Sequence, residues 1–226
     1  MADLPPARPP TRTFKPRRRA LSPSRRAAYD RLAPDWLLDE TGPVLDLDQL
    51  FGEHHTKVLE IGIGGGETTV AMAVAQREID LIGVDVHTPG IAVVLSAIEE
   101  HQLTNVRLVQ GDVLEFLPRL PARSLDGIRV FFPDPWPKAR QHHKRLIKPA
   151  VLDQLVDRLK AGGWLHLATD IDDYARQMRA VCDAHPGLTG GEIARPHWRP
   201  VTRFEQRGID DGRRSIDFWY EATLRG

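Results

Sequence analysis

An α/β fold built on an open, doubly wound sheet is what this sequence predicts. From Lys57 onward, short apolar runs alternate with amphipathic stretches, the pattern of parallel strands joined by crossover helices. The first run ends in a glycine-rich turn, Gly62-Ile63-Gly64-Gly65-Gly66. A fourth ends in a stiff loop, Phe132-Pro133-Asp134-Pro135-Trp136-Pro137-Lys138, which cannot continue a strand because proline fixes φ and lacks an N–H. In an open α/β sheet, segments beyond the carboxyl ends of strands border the ligand crevice.

Strands are expected at Lys57–Ile61, Asp80–Val84, Val106–Gln110, Leu125–Phe131, Trp164–Ala168 and Ser215–Ala222. Between them, Glu67–Arg77 places Val70, Met72, Ala73 and Val74 in a helical pattern, and Ile91–His101 does so through Ile91, Val94, Leu95 and Ile98. Pro149–Lys160 is the cleanest helix. Pro149 sits in its first turn, Leu152, Leu155, Val156 and Leu159 form one stripe, and Gly162-Gly163 supply the expected stop. A further helix is expected over Asp172–Cys182. Residues 27–55 read as a helical and loop lead-in ending in a turn at Gly52, and no internal repeat is present.

The 226 residues suffice for one substantial core. No apolar stretch approaches a membrane-spanning length, and the amino terminus has no apolar signal core. Cys182, the single cysteine, excludes an intrachain disulfide and points to a cytoplasmic, reducing location. The formal net charge of zero conceals an asymmetry. Residues 1–26 hold eight bases (Arg8, Arg12, Lys15, Arg17, Arg18, Arg19, Arg25, Arg26) against Asp3, so this arm is +7 and the body −7. Five prolines among its first sixteen residues predict an extended or flexible arm, with residues 27–226 forming one domain. Such arms lie along nucleic-acid phosphates, a solvated tail being the plain alternative.

Glycines in the turn let the backbone approach a ligand with no Cβ in the way, while the following helix offers its amino terminus. The dinucleotide pattern G-x-G-x-x-G, counted from Gly62, requires glycine where this chain has Glu67. Glu60 precedes the turn, and a carboxylate there is unfavourable beside a diphosphate. It suits a cationic ligand without phosphate, and S-adenosylmethionine, with its sulfonium and α-ammonium groups, is one. Asp85 ends the second strand, where ribose hydroxyls would lie, and Asp112 follows the third, near the expected adenine amine. Each acid singly reads as a helix cap or turn residue. Three at successive strand ends beside a glycine turn read as a site.

Glu60-x-Gly62-x-Gly64, Asp85, Gly111-Asp112, the Pro133–Lys138 loop, Thr169-Asp170 and Thr202-Arg203-Phe204-Glu205 follow one another as in the bacterial tRNA (guanine-N7)-methyltransferases, which the chain resembles over roughly residues 56–222. The resemblance implies a Rossmann-like class I methyltransferase fold, a seven-stranded, mostly parallel sheet with an antiparallel last strand. It implies methylation of guanine 46 in the tRNA variable loop. It further implies cofactor contacts from Glu60, Gly62, Gly64, Asp85, Asp112 and Asp134, with Asp134 the catalytic carboxylate. Lys138, Asp170, Thr202, Arg203, Phe204 and Glu205 would contact the target nucleotide. The family's basic run after Pro-Trp-Pro-Lys is altered here to Ala139-Arg140-Gln141-His142-His143-Lys144-Arg145, which keeps its basic character. Arg140, His142, His143, Lys144 and Arg145 are thus expected RNA contacts.

Guanine N7 carries a lone pair and no proton, so methylation there needs no general base. Asp134 is expected to position the purine and favour the positive charge developing on it. Asp134, Asp170 and Glu205 are alternative acceptors for guanine's N1–H and exocyclic amine. Trp136 is either a stacking face for a base or a loop anchor. Adjacent His142 and His143 diverge on a helix and have no third ligand at metal spacing, so no metal is expected. The partners expected are tRNA and no membrane, the protein acting as monomer or homodimer. Competing readings are an amine methyltransferase, disfavoured by the order Asp-Pro-Trp-Pro, an inactive RNA-binding module, and a NAD-dependent oxidoreductase, disfavoured by Glu60 and Glu67.

Deleting residues 1–26 is expected to weaken tRNA affinity and flatten its salt dependence, because each neutralised duplex phosphate contributes about 0.9 to the slope of log K against log salt. Unchanged binding at every salt concentration would make the arm a passive tail.

Overall fold

Strand β2 (Thr56–Ile61) lies at the middle of an eight-stranded sheet, between β3 (Ile79–Asp85) and β5 (Leu125–Phe131), both parallel to it. A strand covered on both faces needs apolar side chains at successive positions, and Val58 and Leu59 are both fully buried on opposite sides. Beyond β3 come β4 (Val106–Gln110) and the two-residue edge strand β1 (Leu37–Leu38). Beyond β5 come β6 (Leu159–Thr169), β8 (Ile216–Ala222) and β7 (Leu188–Ile193), with β8 antiparallel to both its neighbours. This computed structural model describes residues 13–14, 20–52 and 55–223.

The chain winds from β2 outward through β3 to β4, then returns to lay β5 on the other side of β2. A crevice opens above that reversal. Helices α1 (Pro23–Trp36), α3 (Glu67–Ala75) and α4 (Thr88–His101) cover one face, where Val58, Leu81 and Leu108 meet Ile91, Val94 and Leu95. Helices α5 (Val113–Phe116), α6 (Pro149–Arg158) and α7 (Asp172–Asp183) cover the other, where Leu59, Ile82 and Leu167 meet Leu152, Leu155 and Met178. Cys182 belongs to this second core, and burial pushes its thiol up to about 12. Among the described residues, no helix is long and apolar enough to cross a membrane.

Four expectations change. The sheet has eight strands rather than seven, β1 being a two-residue addition at the edge. Strand β7 was not expected, because Leu188-Thr189-Gly190-Gly191-Glu192-Ile193 has the glycine content of a turn. Helix α6 stops at Arg158, before the glycine pair, since Leu159 is already extended and paired with Leu125. Gly162 and Gly163 serve an irregular stretch inside β6 instead: Gly162 has φ +75°, and a Cβ on Gly163 would lie 2.9 Å from the Lys160 carbonyl oxygen. Finally, α1 begins at Pro23 behind an N-cap Ser22, so Pro23–Arg26 are helical. The rest of the arm, apart from Thr13, Phe14 and Ala20–Ser22, lies outside the described residues.

Gly127 marks a tight place in the central sheet. A Cβ there would lie 2.2 Å from the Trp164 ring, which is itself stacked on Trp219 with centroids 4.7 Å apart. Gly127→Ala is expected to lower stability by about 1–3 kcal/mol through overpacking, read from the urea midpoint at unchanged m-value. An unchanged midpoint would show that the indole pair yields freely.

Candidate active site

Five strand ends converge on one cleft of about 930 Å³. The turn after β2 is held flat against the start of α4. A Cβ on Gly66 would lie 2.8 Å from the Gly90 carbonyl oxygen, and one on Gly90 would lie 2.1 Å from that of Gly64. Asp85, at the end of β3, fixes the turn from the side. Its carboxylate accepts the Gly64 N–H at 2.7 Å and the His87 N–H at 2.7 Å. Burial nonetheless raises the Asp85 carboxyl above its usual range, the two backbone donors opposing.

Glu60 lies on the cleft floor and is almost wholly buried. One oxygen accepts the Thr69 hydroxyl at 2.8 Å, while Oε2 has no partner among the described residues. Desolvation raises its pKa, with Arg129 and Thr69 opposing. Arg129 is its partner across the β2–β5 register, equally buried, donating to Gln76 at 2.9 Å and facing Trp198 at 4.9 Å. Asp112 caps α5 through the Leu114 N–H at 3.0 Å and lines the cleft beside Gly111. At Gly62 and Gly64 an added Cβ would meet nothing within 4 Å, so the floor is open to a ligand.

The loop after β5 forms the second wall. Phe132 (φ +51°) and Trp136 (φ +43°) occupy the left-handed region, uncommon outside glycine, so contacts must hold the loop. Phe132 N–H donates to Ala168 O at 2.8 Å, and Arg145 donates through Nε to Pro135 O at 2.8 Å and through Nη1 to Gln177 at 2.7 Å. The Trp136 indole is buried, its Nε1–H donates to Thr13 O at 3.0 Å, and the Lys144 ammonium sits 4.8 Å from its ring centroid. Of the two readings of Trp136, the loop anchor is the one the packing fits. Asp134, two residues into this loop, is half-buried on the cleft wall.

The third wall is α8 (Arg203–Asp210), opened by a capping box. Thr202 Oγ1 accepts the Glu205 N–H at 2.9 Å, and the Glu205 carboxylate reaches back to the Thr202 N–H. Its first turn presents Arg203 and a half-exposed Phe204, whose ring lies 5.8 Å from that of Phe132. Asp170, at the end of β6, lines the same space and accepts Arg213 Nε at 2.8 Å.

Glu60, Gly62, Gly64, Asp85, Asp112, Asp134, Asp170, Thr202, Arg203 and Phe204 thus share the cleft. Lys138, Arg140 and His143 stand exposed outside it, with His142 beside Asp173 at 3.5 Å and Lys144 on Trp136. Two of the expected contacts are buried. Arg145 is 1 % exposed inside a clamp on the Pro133–Lys138 loop, its guanidinium occupied by partners within the fold. Glu205 is also 1 % exposed, its carboxylate committed to Arg199 at 2.8 and 2.9 Å. Sequence reasoning missed Arg199, Arg129, His166 and Asp217. Arg129 was visible as a charge inside an apolar strand, and Thr202-Arg203-Phe204-Glu205 reads as a capping box. Among the described residues no group of His, Cys, Asp or Glu could hold a metal ion.

Residues 54–218 match a protein-family model described as "Putative methyltransferase". The chain is 47% identical over 207 residues to a tRNA (guanine-N(7)-)-methyltransferase of Streptomyces avermitilis, covering 89% of this chain and 71% of that protein. It is 43% identical over 219 residues to one from Nitrosomonas europaea, covering 95% and 98%. Among solved structures it is similar in fold to the 16S rRNA methyltransferase KamB, with TM-score 0.56 at 13% identity over 81% of this chain and 96% of that one. The antibiotic-resistance methyltransferase Kmr is similar at TM-score 0.53 and 18% identity, over 80% and 93%. The sheet is therefore the mixed, mostly parallel sheet of the class I methyltransferase fold.

The cleft residues fit the cationic nucleoside expected from the sequence: an unpartnered carboxylate oxygen, a bare glycine floor and a second carboxylate beyond it. A bound cation favours the charged forms of Glu60 and Asp85, whereas burial disfavours them in the free protein. Because their folded pKa values are raised, they destabilise the free protein at neutral pH and cease to do so as pH falls through those values. Affinity for S-adenosylmethionine, measured by calorimetry, is accordingly expected to weaken as pH falls, starting above the ordinary carboxylate range of about 4. Affinity that stayed flat down to about pH 4 would remove the desolvated carboxylates from cofactor binding.

Proposed function

The chain belongs to the tRNA (guanine-N(7)-)-methyltransferase family, and we propose on that premise that it methylates N7 of guanine 46 in the tRNA variable loop from S-adenosylmethionine. The observation that carries this reading is the convergence of Glu60, Asp85, Asp112, Asp134, Asp170 and the Thr202–Phe204 turn, from distant parts of the chain, on one cleft.

Glu60 would offer its unpartnered Oε2 to the α-ammonium group, Asp85 its remaining lone pairs to the ribose hydroxyls, and Asp112, on the same cleft, would serve the adenine amine. When bound, S-adenosylmethionine supplies an electrophilic methyl whose S–C electron pair stays on sulfur, leaving S-adenosylhomocysteine. The chain's own work is to hold guanine N7 in line with that methyl and to keep water out. Orientation of this kind contributes about 7–11 kcal/mol in favourable cases. The new N7–C bond uses the N7 lone pair and leaves positive charge on the purine, which a carboxylate at Asp134 favours. No proton leaves N7, so Asp134 acts by position and charge rather than as a base, and the transfer calls for no metal.

With Glu205 bound to Arg199, Asp134 and Asp170 are the carboxylates that line the cleft where guanine's N1–H and amine would lie. Phe204, half-exposed at the mouth, gives the base an apolar face. Arg203 and Arg207 on the cleft rim, with Lys138, Arg140 and His143 beside it, supply the cations for flanking phosphates. On this reading the enzyme works where its tRNA substrate is, which we take to be the cytoplasm.

Incubation with radiolabelled S-adenosylmethionine and an unmodified tRNA transcript, followed by cleavage at N7-methylguanine, is expected to mark position 46 alone. A transcript with that guanine replaced is expected to take up no label. Asp134→Ala is expected to lower turnover by at least about a hundredfold with the fold retained by circular dichroism. Near-normal turnover would reject its role, and label at another nucleotide would reject position 46.

A further inference from the structure

Beneath the first turn of α8 lies a charged network closed to solvent. Arg199 is 0 % exposed, as is His166, while Glu205 and Asp217 are each 1 % exposed. Arg199 donates from Nε and Nη2 to the two oxygens of Asp217, both at 2.8 Å. It donates from Nη1 and Nη2 to the two oxygens of Glu205, at 2.8 and 2.9 Å. His166, on β6, meets Asp217 Oδ1 at 2.8 Å. The guanidinium also faces Phe131 and Phe132, 5.4 and 5.6 Å from their ring centroids.

Stability alone does not account for this arrangement. Desolvating three charges is expensive, and replacing such a cluster by packed apolar side chains is often neutral or stabilising. What the planar, bidentate fork of arginine does provide is geometry: two carboxylates are held at fixed edges of one plane. Here those carboxylates belong to different elements. Asp217 is in β8, and Glu205 is in the first turn of α8, beside the Thr202, Arg203 and Phe204 that line the cleft. Phe132 is two residues before Asp134. One buried side chain therefore touches the α8 wall, the sheet and the base of the Asp134 loop.

We propose that Arg199 is a positioning residue for the methyl transfer. It sets the α8 wall against the Asp134 loop, and Glu205 acts through Arg199 rather than on the guanine. The proposal rests on the reading of this cleft as the guanine-N7 site and names what holds that site in register. Among the described residues, the Gly62–Gly66 turn and Asp85 make no hydrogen bond to Arg199, Glu205, Asp217 or His166, and the Arg203–Glu67 pair that joins the first turn of α8 to the start of α3 is exposed.

The test compares full-length wild type, Arg199→Lys, Glu205→Gln and the double variant with S-adenosylmethionine and unmodified tRNA transcript. Lysine keeps the charge and loses the fork, and glutamine keeps the shape and loses the charge. Each single variant is expected to lower kcat at saturating tRNA by about a hundredfold, the scale of a small misplacement of reacting groups. The dissociation constant for S-adenosylmethionine is expected to stay within about twofold, because the network makes no hydrogen bond to the glycine turn or Asp85. The double variant is expected to be no worse than the worse single, since both break one network. Impaired Glu205→Gln beside normal Arg199→Lys would overturn the proposal in favour of direct contact from Glu205. Multiplying effects would overturn it in favour of independent roles, and lost cofactor binding in both singles would reduce the network to a general support of the fold. Wild type that makes no N7-methylguanine would instead overturn the reading of the site.

Discussion

The rest of the structure is arranged around carboxylates that have been taken out of water without being fully neutralised. Glu60 has one oxygen satisfied and one not, with Arg129 buried across the neighbouring strand. Asp85 is tied to two backbone N–H groups and remains harder to ionise than an ordinary aspartate. A free protein so built bears a desolvation penalty at neutral pH, and a cationic ligand relieves it where a phosphate would enlarge it. The same feature that costs stability therefore selects the ligand. That agrees with a glycine turn preceded by an acid, Glu60, and carrying Glu67 where the dinucleotide pattern requires glycine.

The sheet supplies these positions and the side chains lock them. Parallel winding brings the ends of β2, β3, β4, β5 and β6 to one edge, but strand ends alone leave loops unsupported. Backbone close approach supports the glycine-turn side of the cleft, where Gly66 and Gly90 pack against opposing carbonyl groups. Buried arginines support the other walls: Arg145 clamps the Asp134 loop to α7, and Arg199 ties α8 to β8. Neither guanidinium is open to solvent, so both are committed within the fold.

What could be read in the sequence follows from how local each signal is. The central strands were legible to within a residue or two at most ends because burial on both faces forces continuous apolar runs. The cleft acids were legible because each stands at or within a few residues of the end of such a run. Strand β7 was not, since Gly190 and Gly191 read as a turn until β8 is present to pair with them. Gly162 and Gly163 misled the end of α6 because the same two residues serve a helix stop or a strand irregularity, and pairing of Leu159 with Leu125 decides between them. Arg145 and Glu205 were placed on the substrate by their neighbours in sequence, whereas their partners, Pro135, Gln177 and Arg199, become neighbours only in the fold. A charged residue's type says that it needs a partner, and only tertiary structure says whether that partner is a ligand or the protein.

The two walls of the cleft thus differ in how they are made rigid, and the chemistry accounts for the difference. The methyl donor is one small molecule of fixed shape, so a wall of backbone groups, which cannot change rotamer, suits it. The acceptor is a base that must enter from a larger RNA and come to rest with N7 in line with the methyl. A wall of side chains on a short helix, set by one buried guanidinium, can present Phe204 and Arg203 to solvent while its foundation stays fixed. In-line transfer to a nucleophile that needs no base leaves alignment as the main task of the protein. The fully buried Arg199 lies beneath the first turn of α8, while Asp134 on another wall of the same cleft is only half-buried, an arrangement suited to that task.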